Sequence, residues 1–69
     1  MTWYYQLMRH TSDDEVWYEV HEMYNLENGQ QGWTKEGVNV VADTPEGIKW
    51  VLNMMYKDIK EHGVIDYHD

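Results

Sequence analysis

Apolar and polar positions divide the chain into two regimes of different period. Trp3 to Arg9 is rich in aromatic and apolar residues, and from Glu15 to Asn25 the residues Val16, Tyr18 and Val20 alternate with Trp17, Glu19 and His21. A period of two places successive side chains on opposite faces, so both stretches read as β-strands. Between them His10-Thr11-Ser12-Asp13-Asp14 is polar and reads as a turn. Asn28-Gly29 is a hairpin signal, because both residues tolerate positive φ. Gly32 to Val41 then reads as a third strand, with Gly37 marking a bulge or bend.

Beyond Asp43 the period becomes helical. Thr44 can cap the free N–H groups, Pro45 suits the first helical position, Glu46 favours the positive end of the dipole, and Gly63 is a natural stop. Ile48, Val51, Leu52, Met55 and Ile59 form one apolar stripe, while Trp50 and Met54, four apart, lie roughly opposite it. Val64 to Tyr67 is compatible with a short final strand or an ordered tail. The expected fold is α+β: a three-stranded antiparallel β-meander packed on one C-terminal α-helix, in the order β-β-β-α with room for a short fourth strand, as one small domain over residues 1–69. Its expected core is Leu7, Val16, Tyr18, Val20 and Val40 against Ile48, Leu52, Met55 and Ile59. The sheet face away from the helix would carry Tyr4, Gln6, Met8, Trp17, Glu19, His21 and Met23.

Composition narrows the function classes. The chain has 69 residues and no cysteine, which excludes disulfides and thiolate metal sites and leaves a thin core. Four Trp and six Tyr stand against no Phe, a choice that suits half-buried faces and interfaces because each ring carries a polar handle. The net charge is −8, with thirteen acids against five bases, which argues against direct nucleic-acid binding and against anionic membrane surfaces. No apolar run is long enough to span a bilayer, and Met1 to Tyr5 has no basic leader, so a cytoplasmic protein is expected. Between Arg9 and Lys35 there is no Lys or Arg, while Asp13, Asp14, Glu15, Glu19, Glu22 and Glu27 all fall in that span. Such an acidic surface steers basic partners; the plainer alternative is a device that keeps an aromatic-rich chain dispersed.

The segments Tyr18-Glu19-Val20-His21-Glu22-Met23-Tyr24, Asn28-Gly29, Gly32-Trp33-Thr34 and Thr44-Pro45-Glu46-Gly47 resemble a group of short uncharacterised bacterial and phage proteins. The resemblance covers most of the chain and implies a phage or mobile-element accessory role, with no catalytic residue to carry over. The succession of three strands and a capped helix is also similar in topology to the antitoxin half of the HicA–HicB systems, without the DNA-binding extension that usually follows the helix.

No catalytic constellation is expected. His21-Glu22 lacks the second histidine of a helical zinc motif, and on a strand the two side chains point to opposite faces, so no metal role follows. His21 is expected to hydrogen-bond on the open sheet face, and Glu22 to be solvated or paired with Arg9. His62, Asp66 and His68 are irregularly spaced near the C-terminus; His62, in the last helical turn, suits the negative end of the helix dipole, and tail His and Asp are ordinarily solvated. Asp13-Asp14-Glu15 lacks the spacing of a calcium loop. Ser12, the only serine, could meet His10 and Asp13 only within one exposed turn. The expectation is therefore a non-enzymatic protein with no cofactor. Trp50, Met54, Trp17, His21 and Met23 would form its interface toward a protein partner, basic in charge or a second copy of the chain, whose activity it inhibits. The alternatives are an acidic nucleic-acid mimic that occupies the cleft of a nucleic-acid-binding enzyme, or a small-molecule binder built around His21 and Trp17.

Overall fold

The computed structural model describes residues 2–68. Two long strands dominate it: β1 (Thr2–Ser12) and β2 (Glu15–Asn25) pair antiparallel over their whole length, from Thr2↔Asn25 to Ser12↔Glu15. They turn through Asp13 and Asp14 alone. Asp13 holds φ at 48°, a region that Asp tolerates because its short polar side chain bonds locally. The expected turn at residues 10–14 is thus confined to two residues, and His10, Thr11 and Ser12 belong to β1. Cross-strand pairing opposite Trp17, Val16 and Glu15 outweighs their polarity.

β2 returns through a five-residue loop, in which Gly29 takes φ 85° and Leu26 N–H donates to Gln30 O at 2.9 Å. β3 (Gln31–Trp33) then pairs antiparallel with β2. The expected strand at 32–41 is thereby shortened. Residues 34–38 keep to the edge of β2 through two separate backbone–backbone bonds, Thr34 N–H to Glu22 O and Val38 N–H to Val20 O, and through side-chain bonds such as Glu22 N–H to Thr34 Oγ1. Gly37 is no strand bulge. A Cβ there would sit 2.8 Å from Glu19 Oε1, so glycine lets the backbone pass close over that carboxylate.

α1 (Pro45–His62) starts and stops on the expected residues. Thr44 Oγ1 accepts from Gly47 N–H at 3.0 Å, and Gly63, at φ 69°, donates to Ile59 O at 2.8 Å. Thr44→Ala should cost about 1 kcal/mol of stability in urea unfolding, and Thr44→Asn should restore it. The helix lies along the first half of β1. Asp58 Oδ2 accepts Tyr5 N–H at 3.0 Å, Tyr4 stacks on His62 at 3.7 Å, and Gln6 Nε2 donates to Gly63 O at 2.9 Å.

β4 (Val64–Asp66) follows at once and pairs parallel with β1, through Leu7↔Val64, Met8↔Ile65 and Arg9↔Asp66. The fold is α+β as expected, but the sheet is mixed rather than purely antiparallel, in the order β3-β2-β1-β4. That register sets Arg9 Nε 2.7 Å from Asp66 Oδ1; Glu22, expected as a partner of Arg9, instead accepts from Tyr24 Oη at 2.9 Å.

The core occupies the sheet face opposite to the expected one. Gln6, Met8, His21 and Met23 are buried, all on the face that also carries Tyr4, His10, Trp17 and Glu19, and the helix adds Met55. Val16, Tyr18, Val40 and Leu52, expected inside, are exposed, while Leu7 and Val20 are half-buried. The C-terminal tail explains the inversion. Tyr67 continues the parallel pairing, its N–H donating to Arg9 O at 2.9 Å, and its Oη reaches across to donate to Lys35 O at 3.2 Å. Trp33 Nε1 donates to His68 O at 3.2 Å. The tail thus ties the β4 edge to the β3 side over the methionine face.

Candidate functional site

The hairpin register brings together residues that are far apart in sequence. His10 stands opposite Trp17, Met8 opposite Glu19 and Gln6 opposite His21, so alternation puts His10, Trp17, Glu19 and His21 on one face. Among the described residues, one Nε2 from each of His10 and His21 and one oxygen of Glu19 lie within 4.8 Å of one another. The two Nε2 atoms are 2.8 Å apart, and Glu19 Oε1 is 3.6 Å from His21 Nε2 and 3.8 Å from His10 Nε2.

Each member is held by a second contact. His21 is fully buried, and its Nδ1 lies 2.8 Å from Thr34 O, an acceptor only, so Nδ1 carries the proton. Glu19 Oε2 accepts from Trp17 Nε1 at 2.7 Å, which leaves Oε1 toward the imidazoles. That bond from Trp17, aided by the nearby His10 and His21, holds the Glu19 carboxyl below its ordinary range. The His10 ring is stacked between Trp17, with centroids at 5.3 Å, and Tyr67, at 4.3 Å; Tyr67 also lies 5.4 Å from His21. The cluster is walled by aromatic rings, and the buried Met8 stands directly opposite Glu19 on the neighbouring strand.

The residues expected to act together separate into three groups. Trp50 is 62% exposed on the helix, with Met54 half-buried beside it one turn on. Tyr56, at 69% exposure, and Leu52 make a second exposed apolar pair on the same helix. Trp17 is partly exposed at the mouth of the His–Glu cluster. His21 and Met23 are sealed inside the chain, so they are corrected from interface to interior: the tail and the pairings of His21 cover the face on which they stand. The acids do not share a surface either. Asp13, Asp14 and Glu15 cap the hairpin tip, Glu27 lies in the next loop, and Glu19 and Glu22 occupy opposite faces of the sheet.

Sequence reasoning missed His10 and Tyr67. The signal for His10 was available: with a two-residue turn at Asp13-Asp14, period-two alternation places it with Trp17, Glu19 and His21. Tyr67 had no such signal, since its place depends on the parallel docking of β4. Compared with family profiles, curated proteins and solved structures, the chain matches none.

Proposed function

We propose that this is a small, acidic, non-enzymatic interaction protein that self-associates and, through the same apolar surface, engages a protein partner as an accessory or inhibitory factor. The observation that carries this reading is unburied area. A compact monomer of 8.4 kDa exposes about 4,600 Å². This chain exposes 5405 Å². The surplus is about 800 Å², one partner's share of a standard interface.

The shape agrees. The radius of gyration is 13.1 Å, where about 11 Å is expected for this length, and the molecule is a slab of 38 × 35 × 20 Å. Among the described residues only Met8, Met23 and Met55 are buried apolar side chains, whereas Trp3, Trp17, Tyr18, Trp50, Leu52 and Tyr56 are exposed. Disulfide staples that would let so thin a core stand alone are excluded, because the chain has no cysteine. Among the described residues no helix is long and apolar enough to cross a membrane, so these side chains do not form a membrane span of that kind.

Trp50 is the anchor to test, since exposed indoles dominate association energetics when they become buried. Light scattering after size exclusion should give a dimer for the native chain at tens of micromolar. Trp50→Ser should weaken association by at least about tenfold, roughly 1.4 kcal/mol, with an unchanged circular dichroism spectrum. A native chain that remains monomeric at millimolar concentration would overturn the self-association reading.

A further inference from the structure

We propose that His10, Glu19 and His21 bind one divalent first-row transition-metal ion, through the two imidazole Nε2 atoms and Glu19 Oε1. This inference does not depend on the interaction role.

The donor triangle has the dimensions of such a site. Tetrahedral zinc with bonds of about 2.05 Å spaces its donors about 3.3 Å apart. The three separations here, 2.8, 3.6 and 3.8 Å, bracket that value. An ion at the centre needs a few tenths of an ångström of widening between the two imidazoles and slight tightening of the carboxylate. His10 and Glu19 can supply both movements, because their side chains are 11% and 35% exposed, whereas His21 is fixed at 0%.

The surroundings are those that orient ligands. A metal-bound imidazole ordinarily donates its other N–H to a carbonyl or carboxylate, which fixes the tautomer. His21 does so: Nδ1–H to Thr34 O leaves the Nε2 lone pair pointing into the triangle. In the metal-free chain His10 supplies the proton between the two Nε2 atoms. On binding it carries that proton on Nδ1, so the exchange needs no net change in charge on the ring. Trp17 holds Glu19 Oε2 and thereby aims Oε1 at both rings. Glu19 Oε1 lies beyond hydrogen-bond distance of either imidazole, so the 2.8 Å His–His contact stands as a hydrogen bond of its own, and Trp17 together with the Gly37 backbone holds the carboxylate facing both nitrogens.

The donor set selects the ion. Two imidazoles and one carboxylate suit zinc, cobalt(II), nickel(II) or iron(II), whereas calcium and magnesium call for a shell of oxygens. Three protein ligands leave a position open, and the ion reaches it past Glu19, the most exposed of the three. That open position would accept water, a small anion or a side chain of a partner.

The experiment uses the full chain without an affinity tag, stripped with chelator and titrated with zinc and cobalt(II) chloride. Calorimetry should give one equivalent of zinc with a dissociation constant in the micromolar range or tighter. Cobalt should develop visible absorption bands, and the melting temperature should rise with zinc. His10→Gln and Glu19→Gln should each weaken binding by at least about tenfold, while His62→Gln and His68→Gln leave it unchanged. Should either of the first two variants unfold, the native chain still decides by NMR: zinc must shift the ring Nε2 signals of His10 and His21 and spare those of His62 and His68. Absence of binding up to millimolar zinc, or binding that survives both His10→Gln and Glu19→Gln or follows His68, would overturn the site.

Discussion

Met8→Ala should remove a large part of the folding free energy. Met8 is 0% exposed, at the centre of the covered face of β1, and is one of three buried apolar side chains among the described residues. Truncating a buried methionine costs about 2–5 kcal/mol, the lost transfer free energy plus the cavity left behind. A chain of 69 residues holds only about 3–10 kcal/mol in total. With so thin a core, few neighbouring apolar atoms can collapse into the gap, which favours the upper part of the range. Val16→Ala, at an exposed position on the opposite face, should stay within about 0.5 kcal/mol. Urea unfolding at one fixed protein concentration checks both, since association would otherwise move the midpoint. Equal costs at the two positions would mean that the methionine face is not the interior.

Tyr67→Ala should be the next most damaging change, at about 2–4 kcal/mol, although the residue lies two positions before Asp69 and is only half-buried. Its ring lies against His10 and near His21, and its hydroxyl donates to Lys35 O. Removing the ring opens the buried His21 to water and detaches the tail from the segment after β3. Tyr67→Phe keeps the ring and loses one exposed hydrogen bond, so it should cost no more than about 1 kcal/mol. The two variants separate packing from hydrogen bonding, and the proton shifts of His10 and His21 report the ring directly. If Tyr67→Ala left those shifts and the unfolding midpoint in place, the tail would not be the cover of this face.

Much of the local architecture is legible in the sequence. The helix bounds follow from Thr44, Pro45 and Gly63, because capping chemistry acts over a few residues and needs no tertiary partner. The grouping of Tyr4, Gln6, Met8, Trp17, Glu19, His21 and Met23 on one face follows from period two within each strand. What failed was the length of elements at their polar ends. His10 to Ser12 looks like a turn, yet pairs as strand because the opposite residues hold it there. Residues 34–41 carry strand-like composition, yet Gly37 and the crossing over Glu19 divert the chain.

The candidate site was half visible. Trp17, Glu19 and His21 were grouped correctly; His10 was lost with the misplaced strand end, and Tyr67 with the unforeseen parallel edge. The contiguous pair His21-Glu22 has side chains that point apart, while His10, Glu19 and His21, which converge, are separated by the hairpin.

Local sequence therefore decides which residues share a face, where the helix begins and ends, and that the chain is acidic, rich in Trp and Tyr and without thiols. It cannot decide which of two mixed faces is inside. Both carry aromatic and aliphatic residues, so their transfer free energies are close and alternation alone does not rank them. The choice is made by long-range contacts: Asp58 on Tyr5 N–H, Gln6 on Gly63 O, and the tail drawn across from β4 to the segment after β3. Those contacts place methionines and a histidine in the interior, leave Val16 and Tyr18 in solvent, and bring two imidazoles and a carboxylate to one point.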